Sequence, residues 1–148
     1  CRTTRHELLV EIIVPAGLPR DATTLARAVT RLYDLGLKPD WWKLEPMDDA
    51  AGWRQMADVI EDRDPHCRGV VLLGLSQPME TLVAAFGATA AVPVVKGFAV
   101  GRTIFNDAAR AWLAGEIDDE TAVQRLTDKF TLLADAWRGA RAAVGRAA

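Results

Sequence analysis

Lys43 and Glu45 are the residues whose type and spacing most directly indicate chemistry in this chain. They stand two positions apart in DWWKLEP, the stretch from Asp40 to Pro46, which is typical of a short buried strand. Side chains two positions apart share one face of a strand, so alternation places Trp41, Lys43 and Glu45 together. Charged groups are costly to remove from water unless they are paired. A lysine and a carboxylate that point inward are therefore expected to form an ion pair or to have a functional role.

Two interpretations of Lys43 follow from this position. A lysine amine that has lost its proton can attack a carbonyl carbon and form a Schiff base. Pro46 ends the strand, so Lys43 lies near its carboxyl end, where parallel α/β folds carry out their chemistry. The alternative is a structural ion pair between Lys43 and Glu11 or Glu45.

Glu11 is the second carboxylate that the pattern directs into a sheet. It interrupts the near-continuous apolar run from His6 to Val14. A carboxylate beside the lysine could move the protons that imine formation and carbon–carbon cleavage require. Glu11 and Glu45 are therefore both candidates for acid–base catalysis, and each could instead simply neutralise Lys43.

The segment GFAVGRT, from Gly97 to Thr103, predicts an anion site. Its small residues leave space on one face, Gly101 lets backbone N–H groups approach a ligand, and the helix predicted to follow offers its N-terminus. Arg102 adds a guanidinium, which binds phosphate through paired hydrogen bonds. The turn at Ser76, which ends the preceding strand, could complete this phosphate site or be an ordinary turn with a serine cap.

Lys96 rivals Lys43 as a nucleophile by residue type alone. It begins the last predicted strand, however, which places it at the amino end of a parallel sheet. Residues at that end of a β/α barrel usually serve stability rather than catalysis. Strand position therefore favours Lys43.

Four strand patterns alternate with helix patterns along the chain. The predicted strands are His6–Val14, Trp41–Glu45, Cys67–Leu75 and Val94–Val100, and the predicted helices cover about 22–35, 49–61, 76–88, 104–114 and 119–146. Because a helix separates each pair of strands, neighbouring strands should be parallel. This repetition predicts an α/β fold that is half of a (β/α)8 TIM barrel with an extra C-terminal helix. A four-stranded flavodoxin-like sheet is the competing architecture.

Length and composition predict a single domain over residues 1–148. Half of the residues are hydrophobic, the net charge is −2 and the charges are interspersed, which argues against a general nucleic-acid or membrane surface. No apolar run approaches the roughly 20 residues of a membrane span. The two cysteines and two histidines lack metal-site or disulfide-framework spacing, so we expect a reduced cytoplasmic protein.

The chain opens with Cys1 and a strand pattern follows almost at once, which predicts a fragment from the C-terminal part of a longer barrel domain.

Five segments carry a resemblance to a known family. They are HELLVEIIVP, DWWKLEP, CRGVVLLGLS, KGFAVGRTIF and AWLAG. The series resembles the aldolase-like C-terminal domain of bacterial inositol-catabolism proteins, in which that domain is fused to a 5-dehydro-2-deoxygluconokinase. It is more distantly similar to the class I tagatose-bisphosphate aldolases. The resemblance covers nearly all of the chain, and WWKLEP and KGFAVGRTIF are fairly specific motifs.

This resemblance implies that the chain supplies strands five to eight of a (β/α)8 barrel. Lys43, on the sixth strand, falls where such class I aldolases carry their Schiff-base lysine. Glu11 matches their strand-five glutamate, which transfers protons, and Gly101 with Arg102 matches the phosphate-binding end of strand eight. Strands one to four, with any site residues that they hold, have no counterpart in this sequence.

The implied function is a class I aldolase that cleaves a phosphorylated keto sugar acid. In inositol catabolism the substrate would be 5-dehydro-2-deoxyphosphogluconate, and the products would be dihydroxyacetone phosphate and malonate semialdehyde. Lys43 would form the iminium, Glu11 would shuttle protons, and Glu45 would set the charge state of Lys43. Arg102 and the Gly101 backbone would hold the phosphate. The iminium is the electron sink, so we expect no metal or other cofactor.

Two other functions are open from the sequence. One is a non-catalytic sugar-phosphate-binding or assembly domain attached to a sugar kinase, and the other is an isomerase or epimerase that uses Glu11 and Glu45 without an imine.

Half a barrel would also leave two unpaired strand edges and an apolar inner face with Leu9, Ile13 and Trp41. We therefore expect a homo-oligomer, with two half-barrels approximating one barrel, or an open sheet covered by helices.

Overall fold

Four short parallel strands and five helices make up the described part of the fold. The computed structural model describes residues 1, 3–47 and 49–147. The strands are β1 Leu9–Ile12, β2 Trp41–Leu44, β3 Gly69–Leu72 and β4 Val95–Phe98, and the helices are α1 Thr24–Asp34, α2 Ala50–Arg63, α3 Met79–Thr89, α4 Arg102–Leu113 and α5 Asp119–Ala147. The predictions of an α/β class, of parallel strands and of an extra C-terminal helix are confirmed.

The helices cover one face of this sheet. The covered face carries side chains that are 0% exposed, namely Trp42, Leu44, Val70, Leu72 and Val95. They form one apolar core with the buried residues of the helices. The other face carries Leu9, Glu11, Ile13, Trp41 and Lys43, and we call it the open face. Leu9 and Ile13 are 46% and 49% exposed, so the prediction that they face water is confirmed.

The order of the strands excludes the flavodoxin-like alternative for the described residues. The strands lie side by side in chain order, β1-β2-β3-β4. A doubly wound sheet reverses its strand order at a switch point and carries helices on both faces. This sheet has no reversal within the described residues, and its core lies on one face only.

Trp42 anchors the central strand β2 to helix α1. Its indole Nε1 donates a hydrogen bond to the Tyr33 hydroxyl at 2.8 Å, and the two rings meet edge to face. Burial raises the pKa of Tyr33 far above its usual value, because a phenolate in the core would lose its hydration. Tyr33 therefore stays neutral and holds in place the strand that also carries Lys43.

Aromatic side chains attach α5 to the other end of the sheet. Phe86 of α3 lies against Trp137 of α5, and Phe98 of β4 lies between Phe86 and Phe130. Edge-to-face and stacked rings add about 0.5–1.5 kcal/mol per pair beyond the apolar area that they bury. Helix α5 therefore completes the apolar layer behind β4. Among the described residues, no helix is both long and apolar enough to cross a membrane.

One irregularity interrupts the pairing of β3 with β4. Val70 lies opposite Val95, but Val71 lies opposite Gly97. Lys96 is thus an extra residue in β4, which is the definition of a β-bulge. The bulge allows Phe98 to return to the covered face, where it pairs with Leu72.

Candidate active site

Glu11 and Lys43 are direct neighbours in the ladder between β1 and β2. The Lys43 Nζ donates to Glu11 Oε2 at 3.3 Å on the open face. The lysine side chain is 23% exposed and the glutamate side chain is 38% exposed. A partly exposed pair of this kind contributes only about 0–1 kcal/mol to stability. Its position at the carboxyl end of the sheet is therefore more informative than its energy.

A cavity of about 180 Å³ opens where the strands end, and we call it the site cavity. Five of the six residues predicted for the site line it, namely Glu11, Lys43, Ser76, Gly101 and Arg102. They come from β1, β2, the turn after β3 and the start of α4, four segments that are distant in the chain. Pockets that enclose whole small-molecule ligands usually measure about 300–1,000 Å³, so this cavity has room only for a small ligand or for part of a larger one.

The start of α4 directs backbone donors toward the site cavity. Gly101 is the N-cap residue, and no side chain in the described part of the chain caps this helix. The N–H groups of Ile104 and Phe105 bond to the Gly101 carbonyl, whereas those of Arg102 and Thr103 have no acceptor among the described residues. An uncapped helix N-terminus carries a partial positive charge and binds anions.

A turn in an unusual conformation forms the wall of the site cavity after β3. Leu75 and Ser76 both have positive φ angles, of 46° and 60°, and the Gln77 N–H donates to the Gly74 carbonyl at 2.8 Å. The left-handed conformation costs about 1–2 kcal/mol for a residue other than glycine. Gly74 also permits a close approach, because a Cβ there would lie 2.8 Å from Val100 Cγ1. The turn thereby brings Ser76 to the same cavity as the start of α4.

Thr103 connects this turn to α4. Its hydroxyl donates to the Gln77 carbonyl at 3.0 Å. A second cavity of about 260 Å³ lies beside the site cavity and shares Ser76, Arg102 and Thr103 with it. Lys129 reaches this second cavity from α5 and donates to Asp107 at 2.9 Å, and that hydrogen bond lowers the pKa of Asp107.

Glu45 does not lie beside Lys43, so the prediction that the two share a face is wrong. Glu45 is 5% exposed, and its carboxylate accepts from the Val14 N–H at 2.9 Å and from Arg20 Nη1 at 2.6 Å. It lines a separate cavity of about 330 Å³. The alternation of side chains between the two faces of β2 does not extend to Glu45, because the ladder ends at Leu44. Among the described residues there is therefore no contact through which Glu45 would set the charge state of Lys43.

Lys96 lies away from the site cavity, at the amino end of the sheet. Its Nζ donates to the Pro93 carbonyl at 2.7 Å. It borders a cavity formed with Asp64 and Cys67, which precede β3. The predicted position of Lys96 is confirmed.

Sequence reasoning missed two contributors to the site region. Arg20 lies in the loop before α1, and nothing in its spacing indicated that it would pair with Glu45. Leu75 was part of a predicted strand, yet it adopts the left-handed conformation in the turn. A turn at Ser76 was predicted, but the Gly74-Leu75-Ser76 sequence did not show that Leu75 would belong to it.

Parallel strands that end in one cavity, with a lysine–carboxylate pair and an uncapped helix N-terminus around it, define an α/β protein with a candidate small-molecule site. The chain belongs to the bacterial family described as "Uncharacterized protein conserved in bacteria (DUF2090)", whose family model matches residues 1–141. A comparison with curated proteins gave no match.

Proposed function

We propose that this chain is a class I aldolase-type domain that acts on a phosphorylated keto sugar acid. In this proposal β1 to β4 correspond to strands five to eight of a (β/α)8 barrel. The strand order and the single helical layer support that correspondence. The motif resemblance described above supports 5-dehydro-2-deoxyphosphogluconate as the substrate.

One observation carries the proposal. Lys43 and Glu11 lie within hydrogen-bond distance of each other in the same small cavity as Arg102 and the uncapped start of α4. A nucleophilic amine, a proton acceptor and an anion site are the three parts that this reaction needs. They converge from separate segments at the carboxyl end of the sheet, where β/α barrels place their active sites.

The chemistry assigns a distinct step to each side chain. The Lys43 amine attacks the ketone carbon, and loss of water leaves an iminium. Glu11 removes the proton of the hydroxyl on the β-carbon, the bond between the α- and β-carbons breaks, and its electron pair forms an enamine as an aldehyde leaves. Glu11 then returns the proton to the α-carbon of the enamine, and hydrolysis releases the second product and frees Lys43.

The phosphate belongs, in this proposal, between the turn after β3 and the start of α4. Arg102 is exposed beside the site cavity and can form a two-pronged contact with a phosphate. The free N–H groups of Arg102 and Thr103 and the Ser76 hydroxyl supply further donors. The phosphate would thus hold the ketone at a fixed distance from Lys43.

A second candidate function is a non-catalytic domain that binds sugar phosphates. The Lys43–Glu11 ion pair favours it, because a paired ammonium has a structural explanation that needs no reaction. The anion site around Arg102 would serve both functions equally. The difference between them is a covalent bond to Lys43.

Borohydride trapping distinguishes these two functions. The chain is incubated with dihydroxyacetone phosphate and sodium borohydride, which reduces an iminium to a stable amine, and the adduct is located by peptide mapping and mass spectrometry. The aldolase proposal expects an adduct on Lys43, and dihydroxyacetone serves as the control without phosphate. Saturable binding of the phosphate ester without any adduct would support the binding domain instead.

The open face supports a proposal about assembly. Within the described residues β1 and β4 each have one neighbouring strand, and apolar side chains remain exposed on the open face and on α4, for example Leu9, Ile13, Phe105 and Trp112. Such edges and apolar surfaces favour association. We expect light scattering at micromolar concentration to give the mass of a dimer. A monodisperse monomer would contradict self-association and leave the aldolase proposal unaffected.

A further inference from the structure

Two side chains continue the contact between β1 and β2 beyond the end of the strand ladder. The last paired residues are Ile12 and Leu44. Past them, the Val14 N–H donates to Glu45 Oε1 at 2.9 Å, and Arg20 Nη2 donates to the Val14 carbonyl at 2.7 Å. Arg20 Nη1 closes the ring by donating to Glu45 Oε2 at 2.6 Å. We call this three-residue arrangement the Glu45 clamp.

The clamp acts on an edge strand. β1 has only β2 as a neighbour among the described residues, and their ladder is four residues long. Glu11 belongs to that ladder, three positions before Val14. A shift of one residue in register would move Glu11 to the opposite face of the sheet. The contact between Glu11 and Lys43 therefore depends on how firmly β1 is held against β2.

A similar bond closes the other end of the same ladder. Asp40, just before β2, accepts from the Leu8 N–H at 2.8 Å. Strand β2 is thus flanked by two carboxylates, and each accepts a hydrogen bond from a backbone N–H just outside one end of β1. Asp40 lies at the amino end of the sheet, while Glu45 lies at the carboxyl end with the site cavity. This pair of bonds provides a matched control.

We propose that Glu45 and Arg20 are positioning residues that hold the site end of β1 so that Glu11 stays within reach of Lys43. This inference rests on the proposed aldolase function. Neither side chain lines the site cavity, so both act through Glu11 and not on the substrate. Glu45 is therefore assigned a geometric role in place of the charge-setting role that the sequence predicted.

The test separates imine formation, which Lys43 performs, from proton transfer, which Glu11 performs. Borohydride trapping with dihydroxyacetone phosphate reports the first, and incorporation of solvent deuterium at the α-carbon of dihydroxyacetone phosphate reports the second. We expect Glu45→Gln to slow deuterium incorporation on the order of 10- to 100-fold, the effect of misplacing a reacting group by about 1 Å. Trapping should change much less.

Three further variants make the result specific. Asp40→Asn weakens the corresponding bond at the far end, so it should lower thermal stability without changing the ratio of exchange to trapping. Arg20→Lys keeps a cation beside Glu45 but cannot hold Glu45 and the Val14 carbonyl together, so its effect should be intermediate. In a Glu11→Gln background, Glu45→Gln should have no additional effect on exchange.

Each contrary outcome has a distinct meaning. If Glu45→Gln and Asp40→Asn lowered deuterium exchange and trapping equally, the clamp would contribute only to general stability. That result would overturn the inference. An undiminished effect of Glu45→Gln in the Glu11→Gln background would do the same, because it would show that Glu45 does not act through Glu11. Absence of trapping in the unmodified chain would instead overturn the proposed function, and the inference with it.

Discussion

At the carboxyl end of the sheet, the Lys43 ammonium contacts a carboxylate side chain at 3.3 Å, whereas at the amino end Lys96 donates to a backbone carbonyl at 2.7 Å. Lys43 shares its cavity with an uncapped helix start and a turn with positive φ angles. Lys96 shares its cavity with the residues that lead into β3. The same residue type thus lies in the candidate site at one end and among loop residues at the other.

The physical reason for this difference is the direction of the backbone. In a parallel sheet every strand ends at the same edge, and the helix that follows it presents free N–H groups there. The amino end receives the carbonyl ends of the helices and the loops that lead into the strands, and Lys96 bonds there to the Pro93 carbonyl of such a loop. The comparison teaches that the position of a lysine along its strand carries more information than its identity.

The largest expected effect is the loss of Lys43. Lys43→Met should abolish borohydride trapping and cleavage, because no other amine lies in the site cavity among the described residues. Lys43→Arg should be as damaging, since a guanidinium keeps the charge but cannot form the imine. Lys96→Met is the matched control and should retain trapping. If the borohydride adduct formed on Lys96 in place of Lys43, or still formed in Lys43→Met, the assignment of the nucleophile to the carboxyl end of the sheet would be wrong.

The next largest effect concerns Arg102. Arg102→Ala should weaken binding of a phosphorylated ketone by about 1.5–3 kcal/mol, the value of a hydrogen bond to a charged group. Binding of the unphosphorylated ketone should change little. Isothermal titration measures both. Arg110→Ala, in the last turn of the same helix, is the control, and an unchanged preference for phosphate in Arg102→Ala would remove that side chain from the site.

A smaller effect is expected at the turn after β3. Ser76→Gly removes the hydroxyl and relieves the left-handed strain, while Ser76→Ala removes the hydroxyl and keeps the strain. The glycine variant should be more stable than the alanine variant by about 0.5–1 kcal/mol, after allowance for the greater flexibility of glycine in the unfolded chain. Urea denaturation gives the difference. A glycine variant that is less stable than the alanine variant by about 0.5–1 kcal/mol, the flexibility cost of glycine alone, would mean that the turn holds no strain at this residue.

The smallest effect on the site is expected from the amino end. Burial raises the pKa of the Cys67 thiol, so less thiolate is present near neutral pH than in an ordinary cysteine, and alkylation should be slow until the pH rises well above the usual range. The exposed Cys1 provides the comparison within the same chain. Trapping on Lys43 should be unchanged in Cys67→Ala. Rapid alkylation of Cys67 near neutral pH would show that this thiol, at the amino end of the sheet, is accessible to solvent.

The sequence left Glu45 open as the partner of Lys43, but strand geometry also predicted the observed contact between Glu11 and Lys43. Both residues interrupt apolar strands, and two parallel strands that share an inward face bring such residues side by side. The convergence of Ser76, Gly101 and Arg102 was predictable for a related reason. Residues that follow neighbouring parallel strands must meet at one edge of the sheet.

The position of Glu45 was not predictable in the same way. Alternation applies only inside a hydrogen-bonded ladder, and the sequence does not show that this ladder ends at Leu44. The Val14 N–H beyond the ladder needed an acceptor, which Glu45 supplies, and the Val14 carbonyl accepts a hydrogen bond from Arg20. The predicted strands were also longer than the four residues observed for each, because apolar residues continue past the ends of the paired segments, at the exposed Ile13 as well as at the buried Leu73.

The bulge at Lys96 has a consequence for the charge of the open face. In an unbroken ladder Val71 would lie opposite Lys96, and the row that begins with Glu11 and Lys43 would end in a second ammonium group. The extra residue places Gly97 there instead, where an added Cβ would meet no heavy atom within 4 Å. The row across the sheet thus carries one positive and one negative charge rather than an excess cation. A single-residue irregularity on β4 keeps this row electrically balanced and leaves it uncrowded at its far end.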